Sequence, residues 1–520
     1  MKVFIDEVNH KLIIKELDLM EHRALENYLN LFTDKHRFDP RFKAKIWDGK
    51  IHQYKEDRII DLGLWKEVAK CCGDLGYPLI IENKHSFPLN RTLDKEHFKK
   101  WVYEFFKNRK TKDGDVFFPR DYQIHAAYEI LHNRYCNIEV ATAGGKTLIY
   151  AIVAFYILQF INPKAKLLLI VPSITLITQF YNDLIGFNWG TFKENKNPVK
   201  LELEEVMSET PRKPQPGRHP NLWIATYQSL GKYPEKWFSM FYGITVDECH
   251  GAKNTTQQHI LKSSLKSAYY RFGMSGTYPN ENSADWLLVQ SVTGPIVKEV
   301  KGRDLMDAGY ITPVKIKSMI LNHNDSEFHH NIMKIKKADP KAAYLLEKTK
   351  IQESEKRLNF IKKIASMSTS NMLILFENIE HGQKLYKKCQ EIENKRIFYI
   401  DGTTTGKKRE EIKLQMEDTT SLAILVASYG TLSTGVSINA IGSAILADSY
   451  VSKTRVIQSI GRSLRLHKDK LFAFIFDITD TFINDIDKKN KVNVLYAQYQ
   501  KRKIMYKREQ YPLEEKWISL

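Results

Sequence analysis

The sequence predicts an α/β protein of two tandem parallel-sheet lobes, with a small α+β domain before them and a short helical tail after them. Two observations carry that expectation. Short, nearly continuous apolar runs bounded by polar or turn residues recur over most of the chain, as parallel strands covered on both faces require. The stretches between them are mostly long enough for crossover helices, so runs and spacers together read as repeated βαβ units. Length agrees with this: 520 residues, at about 150 per domain, make three or four domains and exclude a single small binding module.

Residues 1–112 form the α+β domain, with a hairpin at 2–6 and 11–15 and an amphipathic helix near 20–32. Residues 113–300 form the first lobe, with strands expected at 137–141, 166–172, 221–226, 244–247 and 270–275. Within it, 193–220 carries Pro198, Pro211, Pro214, Pro216 and Pro220 and reads as a surface excursion off the sheet. Residues 301–480 form the second lobe, with strands expected at 372–376, 396–400, 423–428, 443–447 and 472–477. Its opening stretch, 301–363, is charge-rich and helix-forming, with Pro313 and Pro340 as breakers. Residues 481–520 form a basic helical tail. There Tyr496, Tyr499 and Tyr506 make a face that docks on the second lobe, and Lys501, Arg502, Lys503, Lys507 and Arg508 make a basic remainder.

Apolar residues are 43% and charged residues 27% of the chain, which is the composition of an ordinary globular protein. Lys plus Arg is 79 and Asp plus Glu is 61, a net charge of +18 that favours a polyanionic partner. Composition alone leaves nucleic acid and an anionic membrane surface both open. Five cysteines without a C-x-x-C pair indicate a reducing cytosol and no structural zinc. The first twenty residues lack the apolar core of a signal or transit peptide. The longest apolar run, 148–161, would reach only about 21 Å as a helix, short of a hydrocarbon core of roughly 30 Å. A buried helix, a cytoplasmic location and no membrane partner are expected.

The run Ala141-Thr142-Ala143-Gly144-Gly145-Lys146-Thr147, between an apolar strand and an apolar helix, has the context of a phosphate-binding loop. Small residues let backbone N–H groups converge on a phosphate at a helix N-terminus. Lys146 would neutralise the β- and γ-phosphates, and the Thr147 hydroxyl would hold Mg²⁺. The strict pattern has glycine where this chain has Val140. Asp247 and Glu248 stand at the C-terminal end of another apolar strand, where ligands bind in open parallel sheets. Asp247 would bind Mg²⁺, and Glu248 would orient and deprotonate the attacking water. Arg462 and Arg465, three residues apart on one helical face, would reach the γ-phosphate from the second lobe.

In order along the chain, these residues resemble the superfamily two helicases: Gln123, the Ala-Gly-Gly-Lys-Thr loop, Val171-Pro-Ser, Ala225-Thr-Tyr-Gln, Asp247-Glu-Cys-His, Ser275-Gly-Thr, Ala427-Ser and Gln458 to Arg465. Within that superfamily the chain resembles the UvsW type of the T-even bacteriophages, and the resemblance extends to Arg37-Phe-Asp-Pro-Arg-Phe, Trp47-Asp-Gly-Lys and Pro234-Glu-Lys-Trp-Phe. It implies two RecA-like lobes and an ATP-driven helicase, monomeric, using ATP and Mg²⁺. The implied substrates are single-stranded and branched DNA (forks, Holliday junctions, R-loops with their RNA–DNA hybrids), in the recombination, replication and repair of a phage, within the host cytoplasm. It also implies that Gln123 reads the adenine edge, that His250, Ser275 and Thr277 couple the nucleotide to the DNA, and that Ser173, Thr226 and Ser428 contact the tracking strand. Ser437 stands where related helicases carry aspartate, and Ala143 where glycine is common. An RNA-directed helicase, or a nucleic-acid clamp with a weak ATPase, are the alternative readings.

Between Arg37 and Lys50, cations including Arg41 and Lys43 interleave with Phe38, Phe42 and Trp47. That pattern suits phosphate pairing and base stacking, with Arg41, Lys43 and Trp47 as DNA contacts. It equally suits a domain core with a basic rim, and the sequence leaves both open.

Overall fold

A computed structural model describes residues 1–34, 36–83, 92–107, 118–186, 203–206, 221–264, 268–418, 420–433, 438, 440–448, 472–483 and 492–520. The chain divides into two compact units, Met1–Val140 with Gly145–Val300, and Ala141–Gly144 with Lys301–Leu520.

The first unit opens with a four-stranded sheet of β1 (Lys2–Asp6), β2 (Lys11–Glu16), β3 (Ile59–Asp61) and β4 (Ile80–Ile81), in the order β3-β2-β1-β4. Val3 and Ile5 of β1 and Leu12 and Ile14 of β2 point inward and their neighbours outward, the period-two pattern of a sheet covered on one face. Helix Leu19–Leu29 starts on a capping box, with Glu21 N–H donating to Asp18 Oδ1 (2.7 Å) and Asp18 N–H to Glu21 Oε2 (2.9 Å). The same Glu21 carboxylate takes the N-terminal ammonium of Met1 at 2.9 Å. The apolar face of this domain runs without a break into that of the first lobe, from Val3, Leu25 and Ile60 to Trp223 and Leu287.

The first lobe is a wholly parallel sheet of β5 (Tyr135–Val140), β6 (Leu167–Val171), β7 (Leu203–Val206), β8 (Leu222–Thr226), β9 (Gly243–Asp247), β10 (Tyr270–Ser275) and β11 (Ile296–Val300). Its order is β11-β5-β10-β9-β6-β8-β7. Every residue of β6, β8, β9 and β10 is buried, which is why these strands read as nearly continuous apolar runs. Because β5, β10 and β9 are neighbours with Ser275 beside Glu139 and Met274 beside Asp247, three loops open side by side at their C-terminal ends. Within the proline-rich stretch 193–220 only 203–206 are described, and they form β7 at the edge of the sheet beside β8; the expected excursion itself lies outside the described residues. Two of the four residues of β7 are Glu204 and Glu205, so no apolar run announces it. Helix Lys95–Phe106 packs Phe98 and Trp101 edge-on against Tyr156, on the helix that follows β5.

The second lobe is also parallel, with β12 (Val314–Asn322), β13 (Asn371–Phe376), β14 (Arg396–Ile400), β15 (Ala423–Ser428), β16 (Ile441–Leu446), β17 (Ala473–Thr481) and β18 (Leu513–Ser519). Its order is β14-β15-β13-β16-β17-β12-β18. Two strands depart from expectation. β12 lies inside the stretch read as helix-forming, because Lys315 and Lys317 alternate with apolar residues whose other face is buried. β18 extends the tail beyond its helix, Val494–Arg508, and pairs in parallel with β12 from Leu513↔Ile316 to Ser519↔Asn322. The tail helix buries Tyr496, Tyr499 and Tyr506 as expected. Arg502 is a correction: it is not part of a solvated basic face but is buried, donating from Nε (3.0 Å) and Nη2 (2.8 Å) to the two oxygens of Asp477. The backbone N–H groups that begin this helix donate to the buried Glu347 carboxylate, Val494 at 2.8 Å and Leu495 at 2.9 Å.

Buried charge recurs in this lobe. Arg357, fully buried, donates from Nε to Asp480 Oδ1 (2.9 Å) and from Nη2 to Ala447 O (2.6 Å), and His323 Nε2 lies 2.9 Å from the same carboxylate oxygen. Asp448 accepts the N–H of Glu377 at 2.7 Å and lies 2.8 Å from His381 Nδ1. Burial raises both carboxyls, but His381, then its hydrogen bond and the Glu377 N–H, hold Asp448 well below the ordinary range, and Arg357 with His323 does the same for Asp480. All five cysteines are buried free thiols, and burial pushes Cys249 and Cys389 up to about 12, which leaves them unreactive. Among the described residues no helix is long and apolar enough to cross a membrane.

Two outcomes follow for stability. Asp480→Ala strands the buried Arg357 guanidinium and costs about 3–5 kcal/mol, read by urea unfolding of the full chain; a loss below about 1 kcal/mol contradicts the pairing. Since Asp448 and Asp480 are held below their unfolded values, their stabilisation is complete above about pH 4 and is lost as pH falls further. An acid titration followed by circular dichroism should show unfolding below that point, and less steeply in Asp480→Asn.

Candidate functional site

The loop after β5 is shaped by two left-handed residues. Gly144 N–H donates back to Ala141 O at 2.9 Å, and Ala143 and Gly145 have φ of +68° and +75°. Glycine meets such a conformation without strain, and alanine at about 1 kcal/mol, so Ala143 is held there by the turn around it. At Gly145 the requirement is stricter, because a Cβ would lie 2.3 Å from Gln123 Nε2. Gln123 is buried, and its Oε1 accepts the Arg120 N–H at 2.9 Å, which fixes the amide against the loop. The helix Lys146–Tyr156 then begins with Gly145 as its cap, so its first N–H groups open toward the loop.

Lys146 extends from this helix to Glu248, with Nζ 3.1 Å from Oε1. Asp247, the last residue of β9, is buried, and its Oδ1 has no hydrogen-bond partner among the described residues. Burial pushes the Asp247 carboxyl up to about 7, with Lys146 opposing and Glu248 adding. Burial raises Glu248 as well, but the Lys146 ammonium and then His250 outweigh it and hold Glu248 well below the ordinary range. The same carboxylates keep Lys146 charged despite its burial. Glu248 has φ +49°, a left-handed turn at the end of the strand that directs consecutive carboxylates differently. Asp247 could hold a cation, since a divalent ion would satisfy its buried Oδ1.

Ser275 and Thr277, both buried, close a second shell of contacts. Ser275 Oγ lies 2.9 Å from His250 Nδ1 and 3.4 Å from Glu248 Oε2, and accepts the Thr277 N–H at 3.2 Å. The structure thus brings Gln123, Gly145, Lys146, Asp247, Glu248, His250, Ser275 and Thr277 to one end of the first sheet. Asp183 was not found from the sequence. Its carboxylate faces the Thr147 hydroxyl at 3.4 Å from the helix Ile174–Gly186, and no local pattern signals a contact between residues 36 positions apart.

The expected strand contacts are more varied. Thr226 and Ser428 end β8 and β15, and each hydroxyl is engaged at the start of a short helix. Thr226 Oγ1 lies 3.0 Å from Ser229 Oγ and accepts the Ser229 N–H (3.3 Å); Ser428 Oγ lies 2.7 Å from Thr431 Oγ1 and accepts the Thr431 N–H (3.2 Å). The two lobes use matching words for this turn, Ala225-Thr-Tyr-Gln-Ser-Leu and Ala427-Ser-Tyr-Gly-Thr-Leu. The Ser173 hydroxyl is buried without a partner among the described residues. Arg41 pairs with Asp39 (2.9 Å) and lies over the Trp47 ring at 5.0 Å, while Lys43 is exposed. Phe42 and Trp47 are half-buried within their own loop and do not form the domain core. Arg462, Arg465 and Ser437 lie outside the described residues.

A parallel-sheet lobe with a phosphate-type loop, an Asp-Glu pair and a Ser-x-Thr turn at one sheet end, followed by a second parallel-sheet lobe, defines an ATP-hydrolysing helicase of superfamily two. Family models agree in three segments: the res subunit of type III restriction enzymes at residues 117–280, the helicase conserved C-terminal domain at 355–467, and the N-terminal domain of the DNA helicase UvsW at 3–82. The chain is similar to helicases of the UvsW type. It is 28% identical over 490 residues to the ATP-dependent DNA helicase uvsW of Enterobacteria phage T4, covering 92% of this chain and 91% of that one. It is 24% identical to putative helicase 22 of a Sulfolobus islandicus filamentous virus, covering 91% and 80% of the two chains. Its fold is that of the ATP-dependent type ISP restriction-modification enzyme LlaBIII solved bound to DNA, at a TM-score of 0.55 and 16% identity over 88% of this chain and 36% of that one.

If Glu248 acts on the attacking water as expected from the sequence, Glu248→Gln should lower ATP hydrolysis by about 10²–10⁴-fold. Lys146→Ala should abolish it. Steady-state phosphate release with both variants checks this, and turnover within about twofold of wild type in either contradicts the assignment.

Proposed function

We propose that this chain is an ATP-driven DNA helicase that remodels branched DNA (forks, Holliday junctions and R-loops) in the recombination, replication and repair of a phage genome. The observation that carries the reading is that similarity to uvsW spans the motor and the N-terminal domain alike. A generic motor would share only the lobes. The net charge of +18 supports a polyanionic track.

In this reading the backbone from Ala141 to Thr147 cradles the ATP phosphates and Gln123 meets the adenine edge. Thr147 and Asp247 would hold Mg²⁺, which would supply charge neutralisation at the phosphates. The chain's own residues supply the rest. Lys146 rests on Glu248 at 3.1 Å, and a γ-phosphate competes with Glu248 for the same ammonium. Binding of the phosphate therefore frees the carboxylate that takes a proton from water. Glu248 is in contact with Ser275 and His250, so its change of partner reaches the turn at Thr277. That is a physical route from nucleotide to nucleic acid.

The test is unwinding of a matched fork, four-way junction, R-loop and blunt duplex by wild type and Lys146→Ala, with ATPase stimulation by equal lengths of single-stranded DNA and RNA. Fork and junction activity should exceed blunt-duplex activity, and DNA should stimulate more than RNA. Equal unwinding of all four contradicts the branched-DNA reading, and stronger stimulation by RNA replaces it with an RNA-directed helicase.

A further inference from the structure

The N-terminal domain carries a loop that the motor motifs do not explain. Residues 31–51 leave and re-enter the domain through a neck closed by Thr33 N–H donating to Gly49 O (2.9 Å) and Ile51 N–H to Leu31 O (2.9 Å). The loop packs on itself. The His36 ring stacks on Phe32 at 4.6 Å and stands edge-on to Phe42 at 5.0 Å. Gly49 closes against them with φ +82°, where a Cβ would lie 2.9 Å from Phe42 Cδ2. Trp47 donates from Nε1 to Lys50 O at 2.9 Å.

This internal packing fixes the backbone yet leaves two large apolar side chains mostly in solvent, further out than Phe32 at the neck, which is 51% exposed. Phe38 is 73% and Ile46 79% exposed. Arg37, Lys43 and Lys45 are exposed on the same loop and make no ion pair among the described residues. Large apolar side chains amid unpaired cations fit nucleic acid better than an apolar protein surface: phosphates take the cations, and a base step takes the apolar wedge. The domain bearing the loop is also firmly seated on the first lobe. Glu67, buried, accepts from Trp286 Nε1 (3.2 Å) and Gln290 Nε2 (2.9 Å). Those two residues lie on the helix Ala284–Thr293, which follows the Ser275–Thr277 turn and packs on the turn after Glu248. Force on the loop is therefore borne by the lobe that holds Lys146 and Glu248.

We propose that Phe38 and Ile46 are the strand-parting element of this helicase, pressed against the terminal base pair of a duplex junction while Arg37, Lys43 and Lys45 hold the flanking phosphates. The inference rests on the helicase reading above.

The test compares the full chain with Phe38→Ala/Ile46→Ala and with Phe38→Leu/Ile46→Leu on a fork carrying 2-aminopurine in its junction base pair. The alanine pair should keep ATPase stimulated by single-stranded DNA within about twofold and lose about tenfold or more of unwinding at saturating protein, together with the rise in 2-aminopurine fluorescence that reports unstacking. The leucine pair should restore most of both. Lys43→Ala/Lys45→Ala should flatten the salt dependence of fork affinity by about two phosphate contacts. An alanine pair that unwinds at the wild-type rate overturns the proposal. So does one whose defect vanishes at saturating protein, since the loop would then only dock. A wild-type chain without DNA-stimulated ATPase would overturn the helicase reading, and this proposal with it.

Discussion

The contact on which the rest depends is the ammonium of Lys146 between the carboxylates at the end of β9. Two adjacent acids buried at a sheet end would repel each other and resist ionisation. One cation, delivered by the helix after β5, holds Glu248 charged, while burial leaves Asp247 close to neutrality and short of a partner. In the proposed function a metal and a phosphate would each relieve one of these conditions. The neighbours of the site follow from that. Ser275 and His250 touch Glu248 because β10 lies beside β9, and Gln123 occupies the space that glycine at 145 leaves open.

Buried charge in the second lobe has a different use. Arg357 with Asp480, and Arg502 with Asp477, satisfy each other inside the fold. Such pairs add little net stability over a well-packed apolar core but penalise arrangements that separate them. They join strand β17 to the helix Glu355–Ser366 and to the tail helix Val494–Arg508. The tail, including β18 beside β12, is thereby an integral part of the second sheet.

Much of the candidate site was legible because its residues are grouped locally: a small-residue loop between strand and helix, two acids after an apolar strand, a Ser-Gly-Thr turn after another. Each is a pattern of a few consecutive residues. Asp183 facing Thr147, and Glu67 under Trp286, were not legible, because the partners stand 36 and 219 positions apart. Strands β7, β12 and β18 escaped for a related reason. Lysines or glutamates interrupt each of them, so hydrophobicity alone did not mark them.

By itself, then, the sequence determined the class of the fold, the order of the motifs and the strand ends on which they sit, since periodicity and turn chemistry are properties of short segments. The tertiary structure alone decided which charges are buried and paired, which hydroxyls are engaged as helix caps, and which aromatic residues of the loop 31–51 pack inward while Phe38 and Ile46 stay in solvent. Those outcomes depend on desolvation and on contacts between distant segments, and neither quantity exists until the chain has closed on itself.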